Sequence, residues 1–294
     1  MKKSLIQAGP PYALTSDKKK EIVEVLFPKR DELIPTSIHT EQLTLFETNE
    51  IRVAAEKIKT GKAPGPDRIP PDVVKEMIKT VPQLVTEALN GLLKEQKFPT
   101  QWKLAKLILI HKAGKPFDSP SGYRPLCLVD AMAKLYEHMI KTRLEHEIHE
   151  NEGLSCNQYG FRKGKSTMDA IETVIAKAKN IKYGGQGERW CAFVTLDVKN
   201  AFNSASWAIL MRKLRGVNIS QYLINIIRDY FENRYILMDD NRRQMSAGIP
   251  QGSVLGPLLW NFYYDSVLRL ELVKGVQTVG YADDLAILVA GETA

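Results

Sequence analysis

Two short apolar runs near the end of the chain, Val276–Gly280 and Leu285–Val289, are separated only by Tyr281-Ala282-Asp283-Asp284. A connection this short joins antiparallel neighbours, because a parallel crossover needs about a dozen residues or more. The sequence therefore predicts a tight hairpin with two adjacent acids at its tip. Asp-Asp in a turn is by itself ordinary turn chemistry. Here, however, Tyr281-Ala282 occupies turn positions where glycine or a polar residue would cost less, and both flanks are apolar strand.

A third acid has a similar setting. Asp197 closes Trp190–Leu196, a short run rich in aromatic and β-branched residues that reads as a buried strand. A carboxylate at a strand end reaches solvent without burying its charge, and carboxylates that meet repel unless a cation lies between them. Hard divalent ions take such oxygen ligands, and Mg²⁺ commonly uses one or two carboxylates with phosphate oxygens. Asp197, Asp283 and Asp284 are thus candidate metal ligands.

Elsewhere the sequence predicts mostly helices. Ser16–Phe27 is capped by Ser16 or Asp17, with Ile22, Val23, Val25 and Leu26 inward, and Thr40–Lys59 has Leu43, Leu45, Phe46, Ile51 and Ala55 inward. Pro71–Lys79 and Pro82–Lys97 each open on a proline tolerated in a first turn. Further helices are expected at Ala131–Glu147, at Ser166–Ile181 with Ser166 or Thr167 as cap, and at Ser206–Arg215, Ser220–Asn233 and Val254–Leu270. Leu104–His111 reads as a strand, and Tyr235–Met238 with Gln244–Ala247 as a hairpin around Asp239-Asp240-Asn241. Pro28 and Pro35 bound a loop, Pro64-Gly65 suits the centre of a type II turn, and Gly184–Gly187 reads as a flexible linker. Helices and antiparallel strands without a regular βαβ alternation indicate an α+β fold.

The formal net charge of +7 over 294 residues favours an anionic partner, nucleic acid first. Cys127, Cys156 and Cys191 are odd in number and lack CxxC spacing, which supports neither a zinc site nor a disulfide framework. No run approaches the roughly 18 apolar residues of a membrane span, and Met1–Leu14 shows no signal peptide.

Three segments, in order, resemble reverse transcriptases of non-LTR (LINE-type) retrotransposons. Val194-Thr195-Leu196-Asp197-Val198-Lys199-Asn200-Ala201-Phe202-Asn203 is similar to the family's first carboxylate motif. Tyr281-Ala282-Asp283-Asp284 is similar to its catalytic hairpin, and Gly248-Ile249-Pro250-Gln251-Gly252-Ser253-Val254-Leu255-Gly256-Pro257 to the motif between them. The resemblance implies a right-hand polymerase fold and RNA-directed DNA synthesis. Asp197, Val198, Asp283 and Asp284 would hold two Mg²⁺ ions, or Mn²⁺ in their place, for in-line nucleotidyl transfer from a dNTP to a primer 3′-hydroxyl.

It also implies roles for neighbouring residues. Phe202 would lie under the incoming sugar and exclude a 2′-hydroxyl; a viral RNA-templated RNA polymerase would carry a polar acid near there and Gly-Asp-Asp at the hairpin. Gln251 and Gly252 would meet the nucleotide and templating base, and Arg124 and Lys112 the triphosphate, a guanidinium suiting phosphate through bidentate bonds. Lys62 and Arg68, in a loop similar to one upstream of the fingers, and Arg162, Lys163 and Lys165, interleaved with Tyr159 and Phe161, would follow the RNA template backbone.

The expected organisation is an N-terminal helical extension over 1–60, fingers with the upstream loop over 61–190 and a partial palm over 191–294, without a thumb. A chain ending ten residues after Asp284 is expected to bind a template–primer duplex weakly and to act with low processivity. Alternatives are an inactive relic that keeps only nucleic-acid binding and a group II intron-type maturase. Nuclear action is what the family implies for an active element.

Overall fold

A computed structural model describes residues 14–30, 43–183 and 190–291. In chain order these form α1 (Ser16–Leu26), α2 (Thr48–Glu56), α3 (Pro71–Thr80), α4 (Pro82–Glu95), β1 (Leu104–His111), β2 (Tyr123–Leu128), α5 (Ala131–Asn151), α6 (Thr167–Tyr183), β3 (Trp190–Asp197), the single turn α7 (Ala201–Ser204), α8 (Trp207–Gly216), α9 (Gln221–Phe231), β4 (Tyr235–Met238), β5 (Asn241–Gln244), α10 (Gly256–Leu268), β6 (Val276–Tyr281) and β7 (Asp284–Gly291). The mixture of helices with sheets expected from the sequence is present. The chain divides into two compact units, Met1–Glu147 with Phe202–Gly256, and Ile148–Ala201 with Pro257–Ala294.

The first unit holds a four-stranded sheet in the order β2-β1-β4-β5. β1 runs antiparallel to β2 and parallel to β4, and β4 turns into β5 through Asp239-Asp240. An aromatic cluster lies under its helices: Phe98 meets Tyr230 edge-on at 5.0 Å and Tyr136 at 5.6 Å. Such pairs add to plain area burial. α9 has apolar residues nearly all round and is buried nearly all round, from Leu223 to Phe231. Its Asp229 is satisfied by the Phe98 N–H at 2.7 Å and by the buried Lys103 ammonium at 2.8 Å, so the carboxylate is not stranded.

The second unit is built on the antiparallel sheet β3-β7-β6. α6 packs on it through Ala170 and Ile181, which meet Val279 and Leu288. Across the same junction the Lys177 ammonium donates to Gln277 at 3.0 Å.

Several local expectations change. Thr15, not Ser16 or Asp17, caps α1, and Val25 faces outward at 53% exposure. The helix expected over Thr40–Lys59 begins only at Thr48, where Glu47 and Glu50 form a capping box. Upstream, Asn90 bonds both the N–H and the carbonyl of Phe46, giving an extended backbone the partners a helix would have supplied. The turn near Pro64 is not type II: Gly65 lacks a positive φ, and the closing bond runs from Arg68 N–H to the Gly65 carbonyl at 3.1 Å with Pro66 second in the turn. β5 starts three residues earlier than expected, at Asn241. β2 was not foreseen as a strand, because Pro125 lies in its middle; β2 is an edge strand and tolerates it. β3 is not buried: Trp190, Phe193 and Leu196 are about half exposed, and residues on both of its faces are open. Thr40, Pro35 and the Gly184–Gly187 linker lie outside the described residues. Among the described residues no helix is long and apolar enough to cross a membrane.

Candidate active site

The acidic tip lies in the second unit and follows from strand register. The β6–β7 ladder ends on Tyr281 opposite Asp284, so Ala282 and Asp283 form a two-residue turn. The β3–β7 ladder ends on Asp197 opposite Asp284. Two independent pairings thus bring all three acids to the same end of one sheet. Asp197 and Asp284 are exposed, and Asp283 is half-buried.

The electrostatics agree with that register. Burial pushes the Asp283 carboxyl above its ordinary value, its own backbone N–H opposes this, and the charges of Asp284 and Asp197 raise it further. The Tyr264 hydroxyl on α10 is also raised, by burial first and then by Asp283 and Asp284. These groups share one negative field. The donor set, all oxygen and all anionic at a strand tip, suits a hard divalent cation. Among the described residues no three His, Cys, Asp or Glu side chains already stand in ligating array.

The turn is supported from beneath. Gly160 approaches it so closely that a Cβ there would lie 2.1 Å from the Ala282 nitrogen, so no larger residue fits. Asn261 of α10 donates to the Gly160 carbonyl at 2.9 Å, and Trp260 donates to the Ala282 carbonyl at 3.1 Å. Gln158, buried, bonds the same residue. The sequence singled out neither residue: Gln158 stands four positions before Arg162, and Trp260 lies inside the helix expected over Val254–Leu270. No local signal marks Gln158, because its partner Ala282 is 124 positions away.

The expected nucleotide-contacting residues gather in the first unit. The Cys127 N–H of β2 donates to the Gln251 carbonyl at 2.7 Å, and a Cβ on Gly252 would lie 2.5 Å from the Cys127 carbonyl oxygen. Gly252 also has a φ of +115°, so glycine is required twice over. The Ile249 N–H donates to the Phe202 carbonyl at 2.6 Å, joining Phe202 to the same loop. Arg124, exposed on β2, pairs in register with Ile110 of β1, and Lys112 follows the end of that ladder. Beneath the loop, the buried Glu137 carboxylate accepts the N–H groups of Val254 and Leu255. Its carboxyl is raised by burial, against the opposing charge of buried Arg234.

The basic residues differ in how they are used. Lys62 and Arg68 are exposed, in a loop braced by the Asp67 N–H bond to Asp130 at 3.1 Å. In the second unit Lys163 is exposed, whereas Arg162 donates to the Ser155 carbonyl at 3.2 Å. Lys165 donates to the carbonyls of Cys156 and Gln158 and lies 4.2 Å over the Tyr159 ring. Its ammonium is pushed below its ordinary value, by burial first and then by Arg162.

Comparison with known proteins gives a consistent picture. Residues 110–294 match the family described as reverse transcriptase (RNA-dependent DNA polymerase). The chain is 31% identical over 253 residues to the "Probable RNA-directed DNA polymerase from transposon BS" of Drosophila melanogaster, covering 83% of this chain and 28% of that protein. It is 26% identical to the "RNA-directed DNA polymerase from mobile element jockey" of the same species, covering 85% and 28%. Against the "Retrovirus-related Pol polyprotein from type-1 retrotransposable element R1" of Bradysia coprophila, identity is 28%, covering 84% and 24%. The chain therefore spans about a quarter of the length of these relatives.

Proposed function

The chain belongs to the reverse transcriptase family, and from that premise we propose that it is the fingers and palm portion of a retrotransposon RNA-directed DNA polymerase. In this reading residues 1–60 are a helical extension, 61–190 the fingers and 191–294 a partial palm. These are functional divisions, and the two compact units cut the chain at other points. The substrates are dNTPs, an RNA template and a DNA primer. The observation that carries the proposal is the shared strand end of Asp197 and Asp284, with Asp283 in the adjoining turn.

Asp197, Asp283 and Asp284, with Val198 beside the first, are the residues to hold two Mg²⁺ ions. When bound, these lower the pKa of the primer 3′-hydroxyl and neutralise charge on the triphosphate and departing pyrophosphate. The protein's own part is positioning. Arg124 offers a planar fork to the triphosphate and Lys112 a point charge. The loop at Gln251-Gly252, tied to β2 by Cys127, presents backbone to the nucleotide. Phe202, held to that loop through Ile249, excludes a ribose 2′-hydroxyl by bulk. Lys62, Arg68, Arg162, Lys163 and Lys165 line the template path, where phosphate contacts set register and not sequence.

Primer extension on an RNA template with Mg²⁺ and dNTPs tests the proposal. Incorporation by this chain that disappears in Asp283→Asn supports it. Salt-sensitive RNA binding without any incorporation supports instead a module that only binds nucleic acid.

A further inference from the structure

Ala282 has a φ of 58°, in the left-handed region that disfavours residues carrying a Cβ. Such a conformation persists only where its surroundings over-determine it. Here they do: Trp260 donates to the Ala282 carbonyl, Gly160 packs against the Ala282 backbone, and Gln158 bonds both its N–H and its carbonyl. Gln158 is 1% exposed and spends both ends of its amide on Ala282. Its Oε1 accepts the Ala282 N–H at 2.9 Å, and its Nε2 donates to the Ala282 carbonyl at 3.2 Å. A reversed amide would set donor against donor and acceptor against acceptor, so the bonding fixes its orientation. Oε1 also takes the Gly160 N–H at 2.9 Å, which locks the amide to its own backbone. That backbone lies beside β6: Gly280 N–H donates to the Asn157 carbonyl and Tyr159 N–H to the Gly280 carbonyl, each at 2.8 Å.

We infer that Gln158 is a positioning residue for catalysis, a two-point clamp that holds Ala282 left-handed and so sets the direction in which Asp283 and Asp284 leave the turn. The inference rests on the polymerase reading for its catalytic consequence but not for the clamp itself. Glutamine suits the task because it supplies donor and acceptor together without charge. A carboxylate there would add to the repulsion already acting on Asp283, and a lysine could not accept.

The test uses the full 294-residue chain with Gln158→Met, which keeps the length and loses the bonds to Ala282 and to the Gly160 N–H, and Gln158→Met/Ala282→Gly, in which glycine adopts the left-handed turn without help. Gln158→Met should lower kcat for single-nucleotide incorporation by about tenfold to a hundredfold, the scale of a misplaced reacting group, while the dNTP KM moves less than about twofold. The double variant should recover most of the lost kcat. Hydrogen exchange of the peptide containing 280–285 should rise in Gln158→Met irrespective of activity. Should Gln158→Met not fold, Gln158→Glu keeps the size and the two accepted bonds and loses only the one donated to the Ala282 carbonyl, and the same readings apply to it. Unchanged kcat and exchange overturn the inference, as does a lost kcat that Ala282→Gly leaves unrestored. A wild-type chain that incorporates nothing refutes the polymerase reading, and exchange alone then decides the clamp.

Discussion

Asp197 and Asp284 face each other as the last residue pair of the β3–β7 ladder. A one-residue slip in that register would send one of them to the opposite face, so strand pairing itself determines whether the acids meet. Neutralising one acid separates their chemical role from their structural cost. Asp283→Asn should lower incorporation roughly a thousandfold, since a metal supplies several kcal/mol of charge stabilisation and each 1.36 kcal/mol is about tenfold. The same change should raise the melting temperature of the metal-free chain, because a raised carboxyl and two repelling neighbours are relieved. A lowered melting temperature in calorimetry would show the carboxylate to be a structural ligand instead.

The pH dependence has a definite sign. The Asp283 carboxyl is higher in the folded chain than its ordinary value, so the fold binds the extra proton. Its stability contribution is complete below the ordinary carboxylate pKa and is lost as pH rises through the folded value. Mg²⁺ should therefore raise the melting temperature more at pH 8 than at pH 5. Melts with Mg²⁺ and with a chelator at both values check this; an equal rise at both contradicts it.

Glu137 and Arg234 are both 0% exposed and electrostatically linked. Glu137→Leu strips the buried acceptor from the N–H groups of Val254 and Leu255 and should cost about 1–3 kcal/mol for each group left unsatisfied. Glu137→Leu/Arg234→Met also removes the opposing buried charge and should recover only part of that loss in a denaturant melt. The double variant should still show a raised dNTP KM, because the N–H groups of Val254 and Leu255 lose their acceptor beside the Gln251-Gly252 loop.

Phe202→Val should relax sugar selection. The ratio of kcat/KM for dNTP over NTP is expected to fall about tenfold or more, the scale of a hydrophobic pocket losing bulk. A ratio equal to wild type would mean that Phe202 serves only to pack the loop at Ile249.

Lys163 and Lys165 should behave differently although they are two residues apart. Lys163→Gln should weaken RNA binding and reduce the slope of log K against log salt by about one. Lys165→Gln should in addition lower the melting temperature, because its ammonium bonds the Cys156 and Gln158 carbonyls. Binding titrations at several salt concentrations, paired with melts, distinguish the two.

The parts of this fold legible in the sequence are those written in local pattern. The β6–β7 hairpin shows in two apolar runs around four residues, and β1 in an apolar run broken only by Lys106. The acids were legible because Tyr281-Ala282 is poor turn chemistry and so needs a reason. What escaped depends on distant partners. β1 beside β4 in parallel joins residues more than a hundred positions apart, and no local period encodes it. β3 read as buried because apolar content does not reveal whether a strand's faces are covered. Gln158 carried no mark of its own, because its role exists only once Ala282 lies over it.

Asp283→Cys tests the central claim most directly, because a thiolate accepts Mn²⁺ or Cd²⁺ far better than Mg²⁺. Single-nucleotide incorporation on an RNA-templated primer should be lost with Mg²⁺ and return when Mn²⁺ or Cd²⁺ replaces it, while wild type works with Mg²⁺. Undiminished incorporation by Asp283→Cys in Mg²⁺ alone would contradict a metal site at the end of the β3–β7–β6 sheet.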